Sequence, residues 1–306
     1  MIVLYGRLDD RPFAQVAEAA GQAGVEHHVV DQNRLGRCRL VTRSDGPGGR
    51  LDADGVRIPL EDITALYTRP LQPRYWSGAG PEQARAAGVH QRLVDWLDGA
   101  PALVVNRPCA MESNSSKPYQ SQLIARAGFL VPDTLVTNEP DDVREFVARH
   151  GRVIYKSVSG VRSIVRDLTA ADEDRLDLVR HLPTQFQEYV PGPDVRVHVI
   201  GDRVLAAQVE STATDYRYAT RDEVPPPRLH RVDPPTDVSE RCVALAAALR
   251  LPFAGIDLRV RPDGAWVCFE VNPMPGFTYY QDRAGLPIAS AVVDLLIRGA
   301  SADNLV

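Results

Sequence analysis

Alternating and helically spaced hydrophobic residues predict a mixed α/β chain. The first segment, "MIVLYG", is a short apolar strand, "PFAQVAEAAGQAG" has helical spacing and ends at a glycine, and "VEHHVVD" is strand-like again. "DITALYTRP" and "ALVVN" predict further strands on either side of the amphipathic "AGVHQRLVDWLDGA". The turn-rich "RSDGPGGRLDADGVRIP" predicts a hairpin or an exposed loop. We assign residues 1–105 to a first α/β lobe.

Helices and hairpins follow in the rest of the chain. Helical patterns occur in "KPYQSQLIARAG", "PDDVREFVARHG", "VSERCVALAAALRL" and "PIASAVVDLLIRGA". "DVRVHVIGDRVLAAQVES" is a hairpin turned at "GD", and "AGIDLRVRPDGAWVCFEVN" is a second one turned at "RPDG". The proline-rich "RDEVPPPRLHRVDPPTD" predicts a linker or a lid-like loop. We assign residues 106–185 to a central lobe and residues 186–306 to a C-terminal lobe, in an α/β (α+β) fold.

Composition narrows the class of protein. The chain of 306 residues is 44% hydrophobic and 25% charged, which is ordinary for a soluble globular protein. A net charge of -5 argues against a broad nucleic-acid or membrane surface, and no apolar run approaches the roughly 20 residues of a membrane span. "MIVLYGRLDD" is too short in its apolar part for a signal peptide. We therefore expect a cytoplasmic protein without nucleic-acid or membrane partners.

The second hairpin carries acidic side chains on one of its faces. Side chains alternate between the two faces of a strand. One face of "WVCFEVN" is therefore expected to carry Trp266, Cys268, Glu270 and Asn272, and the other Val267, Phe269 and Val271. In "GIDLRV", Asp257 also leaves the apolar face. A four-residue loop over residues 262–265 sets Arg261 opposite Trp266 and thereby Asp257 opposite Glu270, with their Cβ atoms about 5 Å apart.

Two facing carboxylates repel each other and favour a cation between them. Asp257, Glu270 and the amide oxygen of Asn272 are hard oxygen ligands, which suit Mg²⁺. The rigid continuation "PMPGF" supports a built site. The alternative is an ordinary solvated strand face with unremarkable acids.

The cations of the chain are almost all arginines. Lys117 and Lys156 are the only lysines among 35 basic residues. A compact ammonium group suits phosphate oxygens, although both lysines are also compatible with an ordinary surface role. "QEYV" ends a strand before Pro-Gly-Pro, so its backbone is a candidate for contacting an adenine edge, and Asp194 for accepting a ribose hydroxyl.

In order and spacing, Lys117, Lys156, "QEYV", "DVRVHVIGDRV", "GIDLRV" and "FEVNPMPGF" resemble the ATP-grasp ligases, over about residues 104–297. The chain is most similar to the ribosomal-protein glutamate ligases and to the microviridin-type (graspetide) peptide macrocyclases. The resemblance implies an ATP-grasp fold, with an N-terminal pre-ATP domain and two lobes that clasp ATP. It also implies an ADP-forming reaction, in which ATP and Mg²⁺ convert a carboxylate into an acyl phosphate that an amine or a hydroxyl then attacks.

The resemblance also implies roles for individual residues. By this resemblance, the residues that contact the phosphates are Lys117, Lys156, Ser159 and Gly160. The adenine hinge consists of Gln187, Glu188, Tyr189 and Val190, and Asp194 contacts the ribose. The metal ligands are Asp257, Glu270 and Asn272. The cations for the acyl phosphate are Arg196 and Arg217. The phosphate loop "SVSGVRSIVR" departs from the family pattern, because it contains a single glycine.

The nature of the substrate stays open. The expected partners are a peptide or small-molecule carboxylate and an amine or hydroxyl acceptor, in a chain that is a candidate homo-oligomer. The glutamate ligases carry basic residues after the "GD" hairpin, whereas "AAQVESTATDYRY" is acidic and aromatic, which disfavours glutamate. We expect a peptide-modifying ligase. The alternatives are a ligase of free amino acids or small acids, and a regulatory ATP-binding module without turnover.

Overall fold

The computed structural model describes residues 1–43, 45–46, 48–72, 80–157, 165–211 and 227–301. The strands are β1 (Ile2–Gly6), β2 (His27–Asp31), β3 (Arg39–Thr42), β4 (Gly49–Ala53), β5 (Val56–Pro59), β6 (Ala65–Arg69), β7 (Leu103–Val105), β8 (Thr134–Thr137), β9 (Val153–Ser157), β10 (Arg166–Asp167), β11 (Thr184–Glu188), β12 (Asp194–Ile200), β13 (Arg203–Glu210), β14 (Arg228–Val232), β15 (Phe253–Val260) and β16 (Trp266–Asn272). The α-helices are α1 (Arg11–Gln22), α2 (Pro81–Gly99), α3 (Pro108–Met111), α4 (Lys117–Arg126), α5 (Pro140–His150), α6 (Thr236–Ala248), α7 (Thr278–Ala284) and α8 (Ile288–Ser301). The α/β class expected from the sequence is confirmed.

The N-terminal part is a parallel sheet in the order β2-β1-β6-β7. Strand β1 is buried along its whole length, as expected for the centre of a sheet covered on both faces. The turn-rich segment after β2 forms a separate antiparallel sheet, β3-β4-β5. Its second turn uses Asp54 and Gly55 at φ 48° and 83°, a backbone that Asp-Gly pairs adopt in tight hairpins.

The second sheet is antiparallel, in the order β10-β9-β11-β8. Helix α5 and a 3₁₀ segment, Ala170–His181, cover it and build a small core. Helix α5 has Asp141 and Asp142 in its first turn and ends at Gly151 with φ 71°, in accordance with the helix dipole and the glycine stop. Strand β11 continues to Glu188, so this sheet extends past residue 185. The division into lobes stays a prediction.

The third sheet is antiparallel, in the order β14-β13-β12-β15-β16. Both hairpins expected from the "GD" and "RPDG" turns are present as β12–β13 and β15–β16. Strand β14 lies within the proline-rich segment that was expected to be a linker or lid-like loop, so that expectation is wrong for residues 228–232. These residues pair with β13 and extend the sheet by one strand.

Two cores enclose the third sheet. On one face, Val195, Val197 and Val199 of β12 contribute to a core shared with α4 and α6. The other face of the sheet contributes Ile200 and Phe253 to a core that also contains α1, α8 and strands of the first sheet. The alternation of β12 therefore directs residues 196 and 198 away from the α4 and α6 side. Among the described residues, no single helix has the length and hydropathy to cross a membrane; α7 and α8 pass that test of length and composition only as a pair, bent by 118°.

Candidate active site

A pocket lies between the second and third sheets, in walls formed by β9, β11, β12, β15 and β16. It brings together seven of the residues expected from the sequence: Lys156, Gln187, Tyr189, Asp194, Arg196, Asp257 and Glu270. Apolar side chains complete its lining: Ile154, Val165, Val195, Leu258 and Phe269. A pocket that combines an apolar wall with charges of both signs suits a ligand with an apolar, planar part and a charged part.

The two acidic strands meet as expected. Asp257 on β15 pairs directly with Glu270 on β16, so this prediction is confirmed. Asn272 donates a hydrogen bond from Nδ2 to Asp257 Oδ2 at 3.2 Å. Arg196 Nη1 donates to Asp257 Oδ1 at 2.6 Å, a short charge-assisted bond. The three oxygen-bearing side chains and one guanidinium group therefore form one cluster.

Between this cluster and the turn, β16 carries one extra residue. Leu258 pairs with Cys268 and Val260 pairs with Trp266, so Phe269 is the additional residue of a β-bulge. The predicted turn register, with residue 261 opposite Trp266, is therefore wrong by one residue. The bulge compensates for this difference and restores the pairing of the two carboxylates.

The bulge also changes which side chains share a face. Cys268 is fully buried in the core beside Val271, whereas Phe269 lines the pocket beside Glu270. The expectation that Cys268 shares a face with Glu270, and Phe269 with Val271, is therefore wrong. A bulged residue shifts the alternation of the strand by one position, which exchanges the faces on its N-terminal side.

Arg196 is held close against the neighbouring strand. Its side chain is 7% exposed, and its guanidinium group lies over Gly255 of β15. A Cβ atom at position 255 would overlap the guanidinium group and lie 2.7 Å from Cβ of Pro275. The ring of Tyr280 lies 5.8 Å from the guanidinium carbon. Glycine at position 255 therefore makes the Arg196–Asp257 contact possible.

His198 follows on the same face of β12 but belongs to the core. It is fully buried between Phe253 and Tyr280, whose ring centroids lie 6.3 and 5.1 Å away. Burial, and secondarily the charge of Arg196, holds the pKa of His198 well below its usual value. Neither ring nitrogen has a hydrogen-bond partner among the described residues. His198 is a neutral ring packed beneath the site.

Lys117 reaches the cluster from outside the third sheet. It is the first residue of α4, the helix that packs against β16. Its Nζ lies 3.8 Å from Glu270 Oε2, and its side chain is 14% exposed. The two charges are close enough for a substantial Coulomb attraction in this partly buried setting.

Lys156 and Gln187 come from the adjacent strands β9 and β11. Lys156 pairs with Gln185 in the ladder, and its side chain lines the pocket. Gln187 is buried and donates from Nε2 to Thr134 Oγ1 at 2.9 Å. Its side-chain amide oxygen, Oε1, has no hydrogen-bond partner within the described part of the chain. A buried acceptor in a pocket wall is suited to receive a hydrogen bond from a ligand.

The expected adenine hinge lies at the end of β11. Glu188 Oε1 accepts a hydrogen bond from the backbone N–H of Asp133 at 2.9 Å. The Tyr189 N–H donates to the carbonyl of Arg152, whose guanidinium carbon lies 3.4 Å from the centroid of the tyrosine ring. Val190 is buried. These contacts fix the segment, and its contact with adenine stays a prediction.

Arg259 is a pocket residue that the sequence analysis did not select. It donates from Nε to Asp194 Oδ1 at 2.8 Å and from Nη1 to the carbonyl of Val190 at 2.8 Å. Its guanidinium carbon lies 5.2 Å from the ring centroid of Phe269. The expected ribose acceptor, Asp194, is therefore already in an ion pair. The signal was present in "GIDLRV", where Arg259 is two positions after Asp257 and so shares its face.

Three expected site residues, Ser159, Gly160 and Arg217, lie outside the described residues. Lys117, Asn272, Glu188 and Val190 do not line the pocket. Lys117 and Asn272 contact its acidic residues, the carbonyl of Val190 accepts a hydrogen bond from Arg259, and Glu188 lies between Gln187 and Tyr189 in the chain.

The donor set of the acidic cluster fits magnesium. Within the described residues, no group of three or more His, Cys, Asp or Glu side chains could hold a metal ion. The candidate ligands are instead two carboxylates, Asp257 and Glu270, and the Oδ1 of Asn272, whose amide points its Nδ2 at Asp257. Mg²⁺ commonly takes one or two carboxylates and completes its octahedron with water and phosphate oxygens. The residues present therefore fit this ion.

Comparisons with known proteins identify the family of the chain. Residues 114–296 match the family described as the RimK-like ATP-grasp domain. A probable alpha-L-glutamate ligase of Sodalis glossinidius (strain morsitans) is 31% identical over 208 residues, which are 63% of this chain and 67% of the relative. A probable alpha-L-glutamate ligase of Vibrio cholerae serotype O1 is 28% identical over 304 residues, 94% of this chain and 91% of the relative.

Solved structures extend the similarity to the whole fold. The ATP-grasp ligase PsnB, in complex with a phosphomimetic variant of its minimal precursor, Mg and ADP, matches with a TM-score of 0.82 and 29% identity over 98% of both chains. The macrocyclase MdnC from Microcystis aeruginosa MRC, bound with precursor peptide MdnA, matches in fold with a TM-score of 0.79 and 20% identity, over 97% of this chain and 99% of the other. Because the family match spans more than half of the chain, the chain belongs to the RimK-like ATP-grasp family and has the fold of the ATP-grasp ligases.

Proposed function

We propose that this ATP-grasp ligase activates a carboxylate of a peptide and joins it to an amine or a hydroxyl group. In the first step, the carboxylate oxygen takes the γ-phosphoryl group of ATP, and ADP leaves. In the second step, the nucleophile attacks the carbonyl carbon, loses its proton and displaces inorganic phosphate. One observation carries the choice of a peptide: PsnB, a ligase solved with its precursor, is 29% identical over 98% of this chain.

The proposal assigns a role to each charged group of the pocket. Asp257, Glu270 and Asn272 are the residues that would hold Mg²⁺, which supplies charge neutralisation at the phosphates when it is bound. Lys117 and Lys156 bind phosphate oxygens as compact cations.

Arg196 stabilises the negative charge of the group that is transferred, which is where electrostatic preorganisation has its largest effect. Its guanidinium group is fixed by the 2.6 Å bond to Asp257, so it needs no reorganisation during the reaction. Asp257 thus both contributes to the metal site and orients the cation beside it.

The hinge residues from Gln187 to Val190 are proposed to bind adenine. The buried side-chain oxygen Oε1 of Gln187 is proposed as a hydrogen-bond acceptor in the pocket wall. The Arg259–Asp194 ion pair, supported by the ring of Phe269, is proposed to fix the adjoining wall at the ribose end of the pocket.

A second candidate is a ligase that adds glutamate or another small amino acid. It is favoured by the curated relatives, which are named probable alpha-L-glutamate ligases and in one case match 94% of this chain. The chemistry of activation is the same in both candidates. They differ in whether the carboxylate and the acceptor belong to one peptide.

Mass spectrometry can separate the two candidates. The chain is incubated with ATP, Mg²⁺ and acidic candidate peptides, with and without free glutamate. Intramolecular ligation lowers the mass of a peptide by one water, whereas addition of glutamate raises it. Trapping with hydroxylamine tests for the acyl phosphate that both candidates share.

The matched pair of variants for this assay is Asp257→Asn and Asp263→Asn. Both are on the same hairpin, but Asp263 is exposed in its turn, where it binds the Ala265 N–H. We expect Asp257→Asn to lose at least about two orders of magnitude in ATP-dependent turnover, because one metal carboxylate and the partner of Arg196 are removed together. Equal turnover in the two variants would refute the assigned site.

A further inference from the structure

Two buried side-chain amides hold the strand that carries Glu270 and Asn272. Gln120 comes from α4, and Asn106 follows directly after β7. Both side chains are 3% exposed, and both bind backbone groups rather than other side chains. Neither residue lines the pocket.

Gln120 replaces a missing neighbour strand at the edge of the sheet. Strand β16 is the outermost strand of the third sheet, so its outward backbone groups need partners from elsewhere. Gln120 Nε2 donates to the carbonyl of Val271 at 2.8 Å, and Gln120 Oε1 accepts from the Val271 N–H at 3.0 Å. The amide thus makes both hydrogen bonds of a ladder pair. Val271 is the residue between Glu270 and Asn272.

The face of α4 that bears Gln120 also bears Lys117. Lys117, Gln120 and Ile124 are spaced so that they share one face of α4. Ile124 is fully buried in the core with Val271, and Lys117 lies 3.8 Å from Glu270. Gln120 therefore sets the position of α4 along β16, and with it the distance between the ammonium and carboxylate groups.

Asn106 acts on the other side of Asn272. Its Nδ2 donates to the carbonyl of Phe253 at 2.7 Å and to the carbonyl of Pro273, and its Oδ1 accepts from the Phe253 N–H at 3.1 Å. Asn106 thereby joins the start of β15 to the residue that follows Asn272. Amide contacts at Val271 and Pro273 fix the backbone before and after the expected amide ligand.

We propose that Gln120 is a positioning residue, which holds Glu270 and Asn272 in the geometry needed to bind Mg²⁺ with a nucleotide. The proposal rests on the function proposed above for this site. Partners outside the coordination sphere that orient metal ligands commonly change metal affinity by 10- to 100-fold, roughly, when they are replaced. A residue that served only to stabilise the fold would change the melting temperature without changing the demand for Mg²⁺.

The test uses the fluorescent nucleotide N-methylanthraniloyl-ADP and Mg²⁺, and it requires no substrate. Nucleotide binding is titrated at increasing Mg²⁺, and also in EDTA. In Gln120→Met, whose side chain has similar length and no amide, we expect the half-saturating Mg²⁺ concentration to rise about tenfold, with unchanged affinity in EDTA. Gln122→Met, at an exposed position of the same helix, is the matched control and should equal the wild type.

A second variant separates positioning from folding. In Gln120→Glu, a protonated carboxyl group can make both bonds to Val271, whereas a carboxylate faces the Val271 carbonyl and cannot donate. The Mg²⁺ midpoint of this variant should therefore be raised near about pH 8 and return towards the wild-type value near about pH 6. This variant decides the question if Gln120→Met fails to fold.

The outcomes distinguish this proposal from the one on which it rests. A wild-type chain that binds no nucleotide at any Mg²⁺ concentration refutes the proposed function. A wild-type chain with Mg²⁺-dependent binding, together with folded variants at position 120 that keep its Mg²⁺ midpoint at both pH values, refutes only the positioning role.

Discussion

Replacing Gly255 by alanine tests whether the close approach of Arg196 to β15 is required. The added methyl group would overlap the guanidinium group of Arg196 and lie 2.7 Å from Cβ of Pro275. The proline ring is rigid and buried, so the arginine is the group that must move. Moving it weakens the 2.6 Å bond to Asp257.

The loss of stability and of turnover expected for Gly255→Ala follows from these contacts. Adding a methyl group to a closely packed site costs about 1–3 kcal/mol. Most of the strain would fall on a charge-assisted bond whose arginine side chain is 7% exposed, so we expect a value in the upper half of that range. ATP-dependent turnover should fall by about 10²-fold or more, since the displaced cation is the one proposed to stabilise the transferred group.

The assay compares Gly255→Ala with Gly276→Ala by denaturant unfolding and by ADP release with a peptide substrate. Gly276 lies in the loop after β16, where an added Cβ meets nothing within 4 Å. The control should therefore change neither stability nor turnover. If both alanine variants are equally stable and equally active, the guanidinium group has another place to go, and the argument for Gly255 is wrong.

Two further substitutions test a core residue beneath the site, His198, and a residue of the pocket wall, Arg259. Burial lowers the pKa of His198 in the folded protein and keeps its ring neutral, whereas in the unfolded chain the residue takes up a proton near its ordinary pKa of 6.5. Proton uptake by the unfolded chain therefore lowers the stability of the protein as the pH falls below that value. His198→Leu should reduce the stability lost between pH 7.5 and pH 5.5 by about 1 kcal/mol in denaturant unfolding. The same loss in His198→Leu and in exposed His181→Leu would contradict this. Arg259→Met leaves Asp194 without its ion pair and should weaken N-methylanthraniloyl-ADP binding with a stability loss of about 1–2 kcal/mol, whereas exposed Arg261→Met should change neither quantity. Equal nucleotide affinity in the two arginine variants would count against a role of Arg259 in the pocket.

Local sequence was enough to predict the hairpin that carries the acidic cluster. "GD" and "RPDG" each join two strands that are neighbours along the chain, so turn chemistry and alternation determine most of their pairing. The facing of Asp257 and Glu270 was predicted correctly, but from an incomplete account. A slip of one residue at the turn and a bulge of one residue at Phe269 cancel each other. Alternation of hydrophobic residues cannot reveal a bulge that exchanges a buried cysteine for a pocket-lining phenylalanine.

The packing of α4 against β16 could not be predicted from the sequence, for a different reason. Helix α4 follows the first lobe in the chain, yet it packs against β16, and Gln120 binds a backbone 151 residues away. Asn106 contacts Phe253 at a separation of 147 residues. The sequence analysis selected neither amide, because a polar side chain that binds backbone needs no particular residue type as its partner.

The environment of Glu270 depends both on local pairing within a hairpin and on the long-range packing of α4. Its place opposite Asp257 is a property of one hairpin, whereas its ammonium neighbour and the amide contact that fixes its strand both come from α4. A hairpin without this helix would still bring two carboxylates together, but its edge strand would have unpaired backbone groups at Val271 and no cation from Lys117 beside Glu270. The acidic cluster is therefore encoded locally, whereas the role proposed for it in binding metal and phosphate depends on the docking of a helix that the local pattern does not specify.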